Sequence, residues 1–290
     1  MEYLGSSVMI MSCSNCNVNC NHCYISYKGN MTPNQLIKIA TTLKGKYKVM
    51  LNGAEPLTNM SYLGAYPYVE QSHILTNGLS LIKNYEYVTE ELRKHGIGKV
   101  LISYHFDIHD IVSSISKRDL ENLFNKLNYD KFKTVIMTTI TSQNYTEIEK
   151  YCHMAHEMGA AAIKFTNFLR QGNAQQMDSQ LILSEAQKQQ FFYGLSSARK
   201  KYSKEELTIL RCGSFGVDST QNKSNFNCPA GKDIAIITPD LNVYPCIFLS
   251  KKGNEIGRYE NGKIELFREY QNDGTQCLAC KQLNEDYLNR

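Results

Sequence analysis

Cys16, Cys20 and Cys23 stand in a C-x3-C-x2-C arrangement on the segment Cys16-Asn-Val-Asn-Cys20-Asn-His-Cys23. Three thiolates this close can hold three irons of a four-iron cluster and leave the fourth iron without a protein ligand. An open iron is a place for chemistry, whereas a fourth cysteine would close it. A second group, Cys228, Cys246, Cys277 and Cys280, lies toward the other end of the chain. Four thiolates saturate a cluster, so this group suits an electron conduit or a structural staple. Zinc is the alternative for both groups. Cys13 would be the fourth ligand of the first, since Cys13-Ser-Asn-Cys16 is itself a C-x2-C pair, and the second would be a zinc ribbon.

The surrounding composition, 42% apolar and 21% charged over 290 residues, is globular and suits one large or two modest domains. No apolar run approaches the ~18 residues of a membrane span, and the N-terminus lacks a basic-then-apolar signal segment. A cytoplasmic protein with no membrane partner is expected. Ten cysteines in a reducing compartment point to metal or redox roles before disulfides. The net charge of +4 is too modest to argue for nucleic acid, and Arg199-Lys200-Lys201 reads as the solvated end of a helix.

Short apolar, β-branched segments at 7–12, 48–52, 73–76, 99–104, 133–140 and 161–166 predict strands. Helical stretches alternate with them. Thr32-Pro-Asn-Gln35 is a capping box with proline at the first helical position, and Ser184-Glu-Ala-Gln187 is another, opening a helix toward Tyr202. Further helices are expected at about 85–95, 118–128 and 145–158, the last stopping on Gly159. Strand then helix, repeated about six times, calls for parallel strands with right-handed crossovers. Six units are too few to close an eight-stranded barrel. The predicted fold class is therefore α/β, a partial (β/α)6 barrel of TIM type over residues 1–205 with its active site at the C-terminal ends of the strands. The cysteine triplet directly follows the first strand, where that rule puts it. From residue 206 the character changes: Ile234–Thr238 and Val243–Phe248 flank a proline-led turn and predict a β-hairpin in a small domain, 206–290. A metal cluster is one way to staple so thin a core.

The triplet, with His22 just before its last cysteine, resembles the cluster-binding loop of the radical S-adenosylmethionine (radical SAM) superfamily. Other segments resemble that family at matching places. Asn52-Gly53-Ala54-Glu55-Pro56 is similar to its Gly-Gly-Glu-Pro motif, which contacts the amino group of S-adenosylmethionine (AdoMet), with Asn52 and Ala54 as departures. Thr76-Asn77-Gly78 closes the third strand as the family's Thr-Asn-Gly does. Ser103 resembles a serine that hydrogen-bonds AdoMet, with Lys117 or Arg118 as candidates for the basic residue on its carboxylate. The stretch from Ile163 to Ala174 resembles the sixth-strand region that meets the adenine, and Arg170 within it is a candidate contact for AdoMet or an acidic substrate. His105, Asp107 and His109 are candidate substrate contacts or bases. Cys228-Pro-Ala-Gly231, Tyr244-Pro-Cys246 and Cys277-Leu-Ala-Cys280 resemble the twitch domain, a shortened SPASM domain that holds one auxiliary cluster through four cysteines.

The resemblance implies two 4Fe-4S clusters and AdoMet as cofactors and a flavodoxin- or ferredoxin-type electron donor. It also implies hydrogen abstraction from an unactivated C–H of a peptide or a small polar substrate, an aminocyclitol or sugar. A net two-electron oxidation, a dehydrogenation or cross-link, is the expected outcome. Fifteen residues before Cys16 leave no room for a fused leader-peptide-binding domain, so a small substrate or a peptide presented by a separate protein is expected. Cys212 is left over between the two regions and is the candidate hydrogen-atom donor of an alternative activity, a radical epimerase; its other readings are an inert thiol and a substitute ligand. A non-catalytic zinc-binding interaction protein is the reading of another class.

Overall fold

The computed structural model describes residues 1–216 and 228–268, together with residues 277, 279 and 283. Six strands fall where the sequence predicts them: β1 (Ser7–Met11), β2 (Lys48–Asn52), β3 (His73–Thr76), β4 (Lys99–Ser103), β5 (Lys133–Ile140) and β6 (Ala162–Asn167). The helices interleaved with them are α1 (Pro33–Leu43), α2 (Leu79–Lys83), α3 (Tyr85–Lys94), α4 (His109–Val112), α5 (Lys117–Tyr129) and α6 (Ile148–Glu157), with α7 (Glu185–Lys201) after β6. Both capping boxes form. Thr32 and Ser184 accept from the backbone of Gln35 and Gln187, whose side chains accept from the cap amides in return.

Five further strands complete two sheets among the described residues: β7 (Thr208–Arg211), β8 (Ile234–Ile237), β9 (Asn242–Tyr244), β10 (Gly257–Glu260) and β11 (Lys263–Leu266). One sheet runs β3-β4-β5-β6-β7, all parallel; the other is ordered β11-β10-β9-β8-β1-β2. The parallel set is thus larger than the six predicted strands. β7 adds to β6, and β8 lies parallel to β1 with Val8 opposite Ala235. The predicted hairpin forms, with Ile236 opposite Tyr244, although its second strand stops at Tyr244. Its first strand is also the neighbour of β1, so one sheet runs from the start of the chain into the hairpin. Met1–Tyr3 lie along β11, where Tyr3 N–H donates to the Ile264 carbonyl at 3.0 Å and Leu266 N–H to that of Met1 at 2.6 Å.

Strand alternation sorts the faces. Val100 and Ile102 of β4, and Ile163 and Phe165 of β6, are fully buried, and Phe165 meets Phe191 of α7 edge-on, ring centres 5.9 Å apart. Burial of each such side chain contributes about 1.5–3 kcal/mol. The intervening residues Ser103, Lys164 and Thr166 turn the other way and line a cavity.

β2 and β3 belong to different sheets, and no backbone ladder joins them. Two side chains close that seam. Near its base the Gln71 amide reproduces a strand's pairing: Leu51 N–H donates to Gln71 Oε1 at 3.0 Å, and Gln71 Nε2 donates to the carbonyls of Leu51 at 2.9 Å and His73 at 2.7 Å. At its upper end the Glu55 carboxylate accepts from Leu57 N–H at 3.1 Å, Thr76 Oγ1 at 2.9 Å and Asn77 N–H at 2.7 Å. Thr76 Oγ1 accepts in turn from Gly78 N–H at 3.0 Å. Glu55 is wholly buried, and burial outweighs its three donors, pushing its carboxyl up to about 7.

Gln71→Ala should lower the stability measured by urea unfolding by about 1–3 kcal/mol for each Leu51 group left unpaired. An unchanged midpoint would show that water replaces the amide at no loss. For Glu55 the sign follows from the raised value. The folded carboxyl holds its proton to higher pH than an unfolded glutamate, so its stabilisation is full below the unfolded value of 4.5 and is lost as pH rises to about 7. The metal-free protein should therefore lose on the order of 2–4 kcal/mol across that window, and Glu55→Gln should flatten this dependence.

Candidate active site

The triplet loop leaves β1 at Ser12 and Cys13, and the ends of three other strands hold it. The Tyr27 hydroxyl donates to the Cys13 carbonyl at 3.1 Å, and Asn21 N–H to that of Val112, beyond β4, at 3.1 Å. Asn77, after β3, reaches Cys16 Sγ at 3.4 Å and Asn17 Oδ1 at 2.8 Å through its amide. Beyond β6, Asn173 Nδ2 donates to the Cys20 carbonyl at 3.1 Å and Ala174 N–H to that of Cys23 at 3.3 Å. Gly172 is what lets these segments meet: its φ is +60°, and a Cβ there would stand 2.6 Å from the carbonyl oxygens of Cys23 and Ile25.

Cys16, Cys20 and Cys23 all line one cavity of about 420 Å³, together with Gly53, Ala54, Thr76, Asn77 and Ser103 from the ends of β2, β3 and β4. Cys212, Cys228, Cys246 and Cys277 line the same cavity. The two groups of cysteines thus face a common space, and Cys212 belongs with them. Cys280 lies outside the described residues. Burial, then Cys23 and Cys16, push the Cys20 thiol up to about 11. Burial likewise lifts Cys246 to about 12, with Cys212 and Cys228 adding to the effect. Thiols so placed resist ionisation alone and ionise together only when bound cations offset their charge. That donor set fits iron-sulfur clusters. Among the described residues no three Cys, His, Asp or Glu side chains converge closely enough for a single metal ion; a four-iron cube spreads its thiolates wider than the ~2.3 Å Zn–S bonds of a zinc site do.

His22 is neutral. Its Nδ1 faces the Val112 carbonyl at 3.3 Å, and burial holds the ring down to about 4. Its ring meets that of His105 edge-on at 4.4 Å. His105 lines the cavity, and its Nδ1 accepts from Thr139 N–H at 3.1 Å, so the proton sits on Nε2. His109 is an internal brace whose Nδ1 accepts from His105 N–H and whose Nε2 faces the Ile115 carbonyl, each at 3.1 Å. Asp107 pairs with Lys150 at 2.7 Å away from the cavity. Between them Phe106 holds φ +47°, a left-handed conformation that costs a bulky residue about 1–3 kcal/mol. Stacking on Tyr151 at 4.4 Å keeps it there and fixes the turn that presents His105.

Three expected contacts lie elsewhere. The Glu55 carboxylate is spent on the β2–β3 seam and is absent from the cavity lining; the backbone of Gly53 and Ala54 is what that turn presents. Arg118 is exposed on α5, and the Arg170 guanidinium donates to the Gln175 carbonyl; neither lines the cavity, nor does Lys117. Lys164 does line it and was missed. The signal was present: between Ile163 and Phe165, which face the helices, Lys164 must point inward.

No family model and no curated protein matches the chain, but solved structures do. SuiB from Streptococcus suis bound to S-adenosylmethionine superposes with a TM-score of 0.67 at 14% identity, over 87% of this chain and 63% of that one. SuiB bound to its precursor peptide SuiA gives 0.67 at 13% identity, over 98% of this chain and 66% of that one. Native anSMEcpe with bound AdoMet and the Cp18Cys peptide gives 0.63 at 15% identity, over 87% and 77%. The chain spans under two thirds of the SuiB chain. It has the fold of these AdoMet-bound structures, the fold that its motif resemblance to the radical SAM superfamily implies.

Proposed function

We propose that the protein is a radical SAM enzyme of the SPASM/twitch type, a partial barrel followed by a small cluster-binding region, acting on a peptide. The observation that carries this reading is the convergence of seven cysteines, from both ends of the chain, on one cavity rimmed by Gly53, Thr76, Asn77 and Ser103. Cys16, Cys20 and Cys23 would hold the AdoMet-binding cluster, and Cys228, Cys246, Cys277 and Cys280 the auxiliary one. When bound and reduced by a flavodoxin- or ferredoxin-type donor, the first cluster and AdoMet supply a 5′-deoxyadenosyl radical able to remove hydrogen from an unactivated C–H bond. The chain's own residues place the reactants. Asn77 braces the triplet, Gly53 and Ala54 offer backbone close to the ligand, Ser103 offers a hydroxyl, and His105 offers a fixed N–H donor. The peptides bound by SuiB and anSMEcpe, structures that share this fold, favour a peptide over a sugar-like substrate. A net two-electron oxidation, with the auxiliary cluster taking the second electron, is the preferred outcome.

A second reading rests on Cys212, which lines the cavity half-buried. Its thiol would return hydrogen to the opposite face of the substrate carbon, an epimerisation without net oxidation.

Anaerobically reconstituted protein should carry about eight irons per chain and cleave AdoMet. The triple variant Cys16→Ala, Cys20→Ala, Cys23→Ala should retain about four and lose cleavage. Loss of all iron in that variant would sink the two-cluster assignment. In deuterated water an oxidase gives a product two mass units lighter than its substrate, with no deuterium at the reacting carbon, and Cys212→Ala should keep that activity. An epimerase gives a product one unit heavier, and Cys212→Ala should stall after 5′-deoxyadenosine is formed.

A further inference from the structure

A hydroxyl without a partner marks one wall of the cavity. Ser214 is 2% exposed and its Oγ has no hydrogen-bond partner among the described residues, yet the residue lines the cavity. Thr138, Tyr151 and Gln171 also bury an oxygen without a partner, but none of them lines it. Burying such a group lowers stability, because its bonds to water are given up and nothing replaces them.

The turn that carries Ser214 is fixed at several points. It follows β7 as a single turn over Gly213–Phe215. Cys212 N–H donates to the Phe165 carbonyl at 2.8 Å, and Asn167, at the end of β6, donates from Nδ2 to the Ser214 carbonyl at 3.0 Å. Phe215, the next residue, is buried and stacks on Phe191 of α7 with ring centres 4.1 Å apart. Arg211 donates from Nη1 to the carbonyls of Cys212 at 3.4 Å and Gly216 at 3.2 Å. A turn held this way does not shift to relieve the unmet hydroxyl; it keeps the group at the cavity, the preorganisation that a binding site needs. Asn167, Cys212 and Gly213, which line the cavity beside Ser214, carry no permanent charge. An ionised ligand group buried against them would lack a counter-charge. A hydroxyl offers one donor and two acceptor sites, the complement of the carbonyl and N–H of a peptide amide.

We infer that Ser214 is a substrate-binding residue whose hydroxyl hydrogen-bonds a backbone amide of the peptide, on the wall that also carries Cys212. The inference rests on the reading of the cavity as the place where a peptide meets AdoMet, and it adds the side chain that receives the peptide. The unmet hydroxyl then opposes stability in the free protein and favours recognition, since a site built to hydrogen-bond its substrate rejects groups that offer no such bond.

Two measurements on the anaerobic, iron-loaded protein test it: the thermal midpoint, and equilibrium dialysis against AdoMet and, in its presence, against N-acetylalanine methylamide, a single capped peptide unit. Ser214→Ala should shift the midpoint upward, because it removes an unpaired buried hydroxyl; a hydroxyl that serves the fold would shift it downward. The same variant should weaken the capped alanine about 2- to 10-fold, the worth of one neutral hydrogen bond, and leave AdoMet affinity unchanged. Ser214→Thr, which keeps a hydroxyl, should hold most of the affinity for the capped alanine. A midpoint that does not rise, an unchanged affinity for the capped alanine, a loss that falls on AdoMet, or wild type that does not bind the capped alanine overturns the inference and leaves the AdoMet reading standing. Wild type that binds no AdoMet defeats that reading, and the inference with it.

Discussion

A parallel strand without a neighbour on one side leaves a row of amide and carbonyl groups that must find partners elsewhere. β2 faces that demand along the seam with β3, and the chain meets it with side chains: Gln71 below and Glu55 above. Much of the site depends on this arrangement. Glu55 takes up the Asn77 amide hydrogen, and the Asn77 side chain then reaches the thiol of Cys16. Ala54 and Glu55 also give their N–H groups to the carbonyls of Cys13 and Asn15 on the triplet loop. The seam is therefore both where the sheets part and where the cysteine loop is registered against them.

The cavity is otherwise kept short of charge. Its histidines are neutral, His22 through burial and His105 through a tautomer fixed by Thr139 N–H. The thiols of Cys20 and Cys246 are pushed toward the protonated form. Against that background Lys164 is the one permanently charged side chain among the cavity's described lining residues. Low local polarity makes its interactions stronger than they would be in water.

The periodic part of the fold was legible in the sequence. Short β-branched runs and capping boxes are local signals, and all six predicted strands and both boxes form. The pairing of β8 with β1 was not legible, because it joins segments with no shared local pattern. Motif spacing pointed to the cavity for Gly53, Thr76, Asn77 and Ser103 and for Cys16, Cys20 and Cys23, since each closes or follows a strand that ends there. Spacing says less where a side chain has a choice of direction. Glu55 turned to donors in the seam, Arg118 to solvent and Arg170 to the Gln175 carbonyl. Lys164 lies within the stretch that resembles the sixth-strand region, but that resemblance singles out Arg170 and not Lys164. Only the alternation of β6 announced which way it points.

The central place of β1 has a consequence for how the chain is made. One edge of β1 pairs with β2 soon after both emerge, but the other waits for β8; Ser6 and Asp233, hydrogen-bonded at the base of that ladder, are 227 residues apart. At translation speeds of 5–20 residues per second, that edge stays open for about 10–45 s. During this interval Val8 and Ile10 flank an unpaired row of backbone groups, the kind of edge that invites pairing with another chain. The nascent chain therefore meets its aggregation hazard before β8 exists, and chaperone dependence should fall on that interval.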